Sequence, residues 1–210
     1  MTGTTARGLV IGDGAGTLER AIAGRLTADG IVVSQLDRRD LPPRQWPAAV
    51  RDLDGAALTA LVYVPSYLAV AGEQDEQWWD TAIEPGLAEF FDIAKVAGTL
   101  GRGASVVIIG RAPLIGRHQT ELGSVVAESS IIGLGRSLAI DVARDGVRVN
   151  VVTPNSDAMT GDVPDVPLGR QGTMADITGV VSFLCSPAAS YITGQCIYVD
   201  GGRSLNRHLF

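Results

Sequence analysis

GLGRSLAIDVARDGVRVN, residues 133–150, and PLGRQGTMADITGVVSFLCSPAASYITGQCIYVDGG, residues 167–202, decide how this chain is read. The first stretch closes a long helical pattern, Glu121 to Arg144, and passes into a β-rich run, Val147 to Thr153 (VRVNVVT). The second holds a shorter helical pattern, Ala175 to Cys185, and a last strand beginning at Cys196–Val199. Working outward, the same alternation covers the whole chain. Strands are predicted at Gly8–Gly12, Ile31–Leu36, Leu58–Val64 and Ser105–Ile109, with helices at Leu18–Asp29 and Trp78–Leu100, the latter broken into by Pro85. Repeated strand–helix–strand units predict a parallel sheet covered on both faces. Right-handed crossovers make that a doubly wound α/β domain. The 210 residues fit one such domain, 1–210, with no linker or internal repeat.

Composition excludes several classes of function. The formal net charge is -6, and no Lys/Arg run offers a phosphate-neutralising face, so nucleic acid is not expected as a partner. No apolar run reaches the ~18 residues needed to span a bilayer. The N-terminus MTGTTARG lacks the apolar core of a signal peptide, so the expected address is the cytoplasm. Cys185 and Cys196 have no metal spacing and read as small buried hydrophobes. No metal site is expected.

The two opening stretches resemble the short-chain dehydrogenase/reductase family: the first its dimer helix and sixth strand, the second its closing segment. The resemblance implies a Rossmann-like fold and gives each catalytic position of the family an address here. The Tyr-xxx-Lys pair falls on Ser124 and Glu128. The catalytic Ser falls on Arg111, and the supporting Asn on Gly86. The Asn-Asn-Ala-Gly turn becomes Tyr63-Val64-Pro65-Ser66. Between Ser66 and Pro187 the only tyrosine is Tyr67. Ketone reduction needs a proton donor at the carbonyl oxygen, and a Lys cation favours the phenolate form of the Tyr. Ser124 is a far weaker acid, and Glu128 carries the wrong charge. Losing one acid–base group typically costs ~10²–10⁴ in rate. No catalytic residue is therefore expected.

The cofactor loop is eroded as well. The family pattern TGxxxGxG is here Ile11-Gly12-Asp13-Gly14-Ala15-Gly16-Thr17-Leu18. Gly12 and Gly16 keep the first two spacings, but Leu18 or Thr17 takes the third. Asp13 would repel a phosphate by about 4 kcal/mol per charge pair at 4 Å and an effective dielectric near 20. Asp37 ends the second strand where a ribose-binding acid would sit, and Arg38 and Arg39 follow it. Gly12, Gly14, Gly16 and Asp37 are thus the vestigial cofactor contacts, with NAD(P) binding expected to be weak or lost. The glycines read equally as a tight turn. Only about 20 Pro-rich residues follow Asp37 before the next strand, so the third strand and its crossover helix are expected to be missing or vestigial. Residues 156–166 are too short for the family's substrate lid.

What is kept is the apparatus of assembly. Helices 78–100 and 121–144 and the C-terminal tail build oligomers in the family. The second helix carries Val125, Val126, Ile131, Ile132, Leu134, Leu138 and Ile140, more apolar positions than one core face uses. The tail carries Leu205, Leu209 and Phe210. The expected function is a catalytically inactive subunit that pairs with, and supports, a paralogous active oxidoreductase of the family. Two alternatives stay open. One is altered acid–base chemistry from Arg111, His118, Glu121, Ser124 and Glu128, for which an ordinary solvated helix start is the plainer account. The other is a weak NAD(P)-binding sensor.

Overall fold

The computed structural model describes residues 5–13, 16–41, 44–51, 58–65, 80, 84–110, 122–154 and 166–205. Its frame is a parallel sheet of β1 (Arg7–Gly12), β2 (Val32–Asp37), β3 (Ala60–Tyr63), β4 (Ser105–Ile109), β5 (Arg148–Pro154) and β6 (Cys196–Val199). The order is β2-β1-β3-β4-β5-β6, and every adjacent pair is parallel. The strands are short continuous apolar runs because both faces are covered. Leu9, Ile11, Leu61, Tyr63, Val106, Ile108, Val149 and Val151 point to one face; Val10, Val62, Val107, Ile109 and Val152 point to the other. A side-chain period of two divides them.

On the first face lie α3 (Glu84–Ala97) and α4 (Leu122–Val142), through Phe90, Ile93, Ile131 and Leu138. On the second lie α1 (Thr17–Ala28) and α5 (Met174–Cys185), through Leu18, Ile22, Ile177 and Leu184. Gly135 lets α4 approach the sheet, since a Cβ there would fall 2.7 Å from Val151 Cγ2. The α5 start is a full capping box: Thr173 accepts from the Asp176 N–H, and Asp176 accepts from the Thr173 N–H.

Pro85 occupies the first turn of α3, where its missing N–H costs nothing; residues 81–83 before it lie outside the described residues. Trp78 and Trp79 lie outside the described residues. The third strand is absent among the described residues, and β2 is the sheet edge. Among the described residues its crossover is represented by a turn, Arg38–Asp40, and a short helix, α2 (Trp46–Arg51).

That remnant is anchored by two side chains. Trp46 is buried, meets the Tyr63 ring edge-on at 5.9 Å, and donates from Nε1 to the Leu41 carbonyl at 3.2 Å. Buried Asp92 of α3 accepts from the Arg44 N–H at 2.6 Å, where Arg44 holds a left-handed φ of 71°. Trp46→Ala is expected to cost ~3–5 kcal/mol in urea unfolding, and Trp46→Phe only ~1–2 kcal/mol. Equal, small losses for both would show that the remnant is not anchored there.

Candidate functional site

In an open parallel sheet a polar crevice forms beyond the strand C-termini where the strand order reverses. Here that point lies between β1 and β3, at the ends marked by Gly12 and Tyr63. The β1 loop runs through Asp13 to Gly16, the N-cap of α1; Gly14 lies outside the described residues. Backbone N–H groups and the helix dipole make this a natural anion cradle.

The chain's own Glu19 fills that cradle. It sits in the first turn of α1 and folds back, so that Oε1 accepts from the Asp13 N–H at 3.2 Å. A Cβ on Gly12 would lie 2.6 Å from Glu19 Oε1, and one on Gly16 would lie 1.7 Å from Oε2. The glycines do permit a close approach, but the approaching group is an internal carboxylate. Glu19 is only 6% exposed.

A polar network closes the rest of the crevice. Arg38 donates from Nε to the Asp13 carboxylate and from Nη1 to Glu89 Oε1 at 3.1 Å. The Tyr63 hydroxyl donates to Glu89 Oε2 at 2.6 Å, and both of these side chains are buried. Arg39 donates to both oxygens of Asp37 and, from Nη2, to the Asp13 carbonyl at 2.9 Å. Hydrogen bonds from the Arg39 guanidinium and its backbone N–H lower the Asp37 carboxyl to about 2. Asp37, the predicted ribose contact, is thus engaged by its neighbour two residues on. The residues present do not fit a dinucleotide. A diphosphate would have to displace one carboxylate and settle beside another.

Of the catalytic positions, Gly86 and Glu128 have described side chains or surroundings. Gly86 is buried in the first turn of α3, one turn before Glu89. Arg111, His118 and Glu121 lie outside the described residues, as does the Ser124 side chain in the first turn of α4. Glu128 follows one turn later, 4% exposed, and its Oε1 has no hydrogen-bond partner among the described residues. Burial pushes its carboxyl up to about 8, so it is mostly neutral at pH 7. Across from it on β6, Cys196 and Tyr198 are both raised, chiefly by burial and further by Glu128; Tyr198 reaches about 12. Burial likewise pushes Cys185 to about 12, in keeping with its reading as an apolar filler. Glu128, the position that the resemblance assigns to the family's lysine, is thus a mostly neutral acid at pH 7.

Glu19 and Glu89 were not singled out from the sequence. Glu19 had a local signal: it is the third residue after the N-cap, from which a Glu reaches back over a helix start. Glu89 had none, because its partners are 51 and 26 residues away. Among the described residues no group of three His, Cys, Asp or Glu side chains could hold a metal, and no helix is long and apolar enough to cross a membrane. A cavity of about 1050 Å³ at the opposite end of the sheet, lined in part by Thr59, Arg148 and Tyr191, contains none of the predicted site residues.

Glu128 has a consequence for stability. Between about pH 4.5 and 8 the folded chain keeps a proton that the unfolded chain has released. Stability therefore falls as pH rises through that window, and the penalty is absent below it. Glu128→Gln should flatten the slope and stabilise the fold at pH 8 by ~1–3 kcal/mol in denaturant titrations. Parallel slopes for variant and wild type would contradict this assignment.

The profile of a family described as enoyl-(acyl carrier protein) reductase matches residues 48–204. A 3-oxoacyl-[acyl-carrier-protein] reductase of Staphylococcus epidermidis is 35% identical over 141 residues, 60% of this chain and 58% of that protein. Its counterpart in Salmonella typhimurium is 33% identical over 143 residues, 61% and 58% of the respective chains. The match spans less than two thirds of these relatives' length. A short-chain dehydrogenase/reductase structure from Serratia marcescens superposes with a TM-score of 0.79 at 22% identity, over 96% of this chain and 100% of that one. The aldohexose dehydrogenase of Thermoplasma acidophilum gives 0.74 at 23% identity, over 99% of both chains. At such identities the two structures bear on the fold alone.

Proposed function

This chain belongs to the short-chain dehydrogenase/reductase family, and from that premise we propose that it is a non-catalytic subunit supporting a catalytically complete paralogue. The observation that carries the reading is Glu128, a buried carboxyl in the position of the family's lysine. A neutral or anionic group there cannot favour a phenolate, and Ser124 offers no phenol to favour. The filled cradle at Glu19 supports the same reading, because a subunit without cofactor contributes no hydride.

The surfaces for pairing are the 78–100 and 121–144 helices and the C-terminal tail. Phe91 on α3 is 66% exposed and Ile140 on α4 is 76% exposed, so the outer faces of these helices keep large apolar groups in water. Near the tail, Leu168 and Leu205 are exposed beside a cavity of about 530 Å³ lined also by Val180 and Tyr198. Leu209 and Phe210 lie outside the described residues. Apolar groups so placed favour a docked partner. The partner class follows from the relatives' names: a reductase of acyl-carrier thioesters. The subunit contributes helix surface and stability, and the partner contributes the chemistry.

Co-expression with a complete paralogue from the same genome should give a stable hetero-oligomer by native mass spectrometry. Phe91→Glu together with Ile140→Glu should cut its yield at least ten-fold, as expected when two central apolar contacts are lost. Exclusive recovery of self-assembled chain in the partner's presence would rule the reading out.

One observation favours a second reading. A carboxyl titrating at about 8 is poised for proton transfer near neutrality, so Glu128 could act as acid or base in altered chemistry. Carbonyl reduction by the chain alone, abolished by Glu128→Gln, would select that reading.

A further inference from the structure

We infer that the cavity at the N-terminal ends of the strands is a binding site for a small organic monocarboxylate, whose charged end is held by Arg148. The cavity has a volume of about 1050 Å³ and lies at the far end of the sheet from the crevice at Gly12 and Tyr63. Its wall is built from residues that open the strands: Ala6 before β1, Ile31 before β2, Thr59 before β3, Gly103 before β4 and Arg148 at the start of β5. Arg148 is only 8% exposed, although it lines this cavity. Its Nη1 is buried and has no hydrogen-bond partner among the described residues. Its Nη2 donates only over a long 3.4 Å, to the Ser186 carbonyl just past the end of α5. A buried guanidinium short of acceptors is costly. Its planar fork of donors matches a carboxylate, which can accept two parallel bonds.

Most of the other polar groups of the wall are already engaged. The Asp29 carboxylate accepts from Arg25 at 2.9 Å and from the Ser182 hydroxyl at 2.5 Å. Thr59 donates to the Arg7 carbonyl, Ser186 donates to the Phe183 carbonyl, and Thr193 accepts from the Val149 N–H. Cys185, on the same wall, keeps its proton to about pH 12 and brings Arg148 no counter-charge. Recognition of a charged group therefore falls to Arg148. Ala6, Ile31, Val147 and Pro187 give the cavity apolar surface, which suits a hydrocarbon body. A single cation suits an acid with a single charge. A doubly charged phosphate would bring its second charge toward the Asp29 carboxylate, which also lines the cavity.

The test uses the full-length chain and hexanoate, with hexanol, hexylammonium and inorganic phosphate as further probes, read by saturation-transfer NMR and calorimetry. Hexanoate should bind in the roughly millimolar range expected of so small a ligand. The other three probes should bind at least ~10-fold more weakly, since none has both the charge-assisted bonds and the apolar body. Arg148→Met should weaken hexanoate at least ~10-fold and leave hexanol unchanged. Ala143→Trp, at an exposed position on the wall, narrows the cavity and leaves Arg148 in place; it should weaken hexanoate as well. That second variant keeps the site testable if Arg148→Met does not fold. Absence of hexanoate binding, another probe that binds as well, or undiminished hexanoate binding in either folded variant would overturn the assignment. The inference goes beyond the pairing reading and is independent of it: no partner enters this experiment, so either idea can fail alone.

Discussion

Asp13 is gripped at its amide, its carbonyl and its carboxylate, and the C-terminal rim of the sheet takes its form from those contacts. A loop at a topological switch point presents backbone donors to a site from which water is partly excluded. Each donor left without an acceptor there costs ~1–3 kcal/mol. An enzyme of this architecture meets that demand with its ligand. This chain supplies Glu19 from α1 as the acceptor for the Asp13 N–H, while two arginines from the end of β2 donate to the Asp13 carboxylate and carbonyl, all within 26 residues of Asp13.

The lost third strand explains why the arginines are available. With no strand beyond β2 among the described residues, Asp37 and the Arg38–Asp40 turn stand at an open sheet edge. Charged side chains are a common way to manage such an edge. The exposed Arg39–Asp37 pair contributes little to stability by itself. The chain Asp13–Arg38–Glu89–Tyr63 is different, because Glu89 and Tyr63 are buried and hydrogen-bonded groups there strengthen one another. It joins β1, β2, β3 and α3 across the crevice that a third strand would have helped to wall.

The sheet was legible because strands buried on both faces are short apolar runs set between turn residues. Ser105–Ile109 and Cys196–Val199 coincide with the observed β4 and β6 for that reason. The absence of a third strand was equally legible, since no β-rich run exists after Asp37 to form one. Helix starts were harder. Pro85 falls in the first turn of α3, and the apolar pattern before it runs into residues outside the described ones. Ser124 and Glu128 receive their addresses by counting from a recognisable helix, which the structure confirms as a helix over Leu122–Val142. It was not legible at Glu89, whose role depends on contacts with Arg38 and Tyr63 far away in the chain. Asp13 and Asp37 were noticed as charges, but a sequence does not say that each already has its own arginine.

Acidic side chains recur at this end of the sheet: Glu19 and Asp13 stand in the β1 loop, where a diphosphate would bring its own negative charge, and Glu128 is buried on α4. Exchanging a cation for a neutral residue would leave a site merely weak. Exchanging it for an acid makes occupation by an anion unfavourable, because carboxylates near phosphate raise its energy at every approach. Burial then settles the state of each acid separately. Glu128 has no hydrogen-bond partner among the described residues, so it keeps its proton to about pH 8 and avoids most of the cost of a buried charge. Glu19 accepts from a backbone donor and sits in the first turn of α1. One acid is tolerated because it can be neutral, and the other because the cradle was already shaped for an anion.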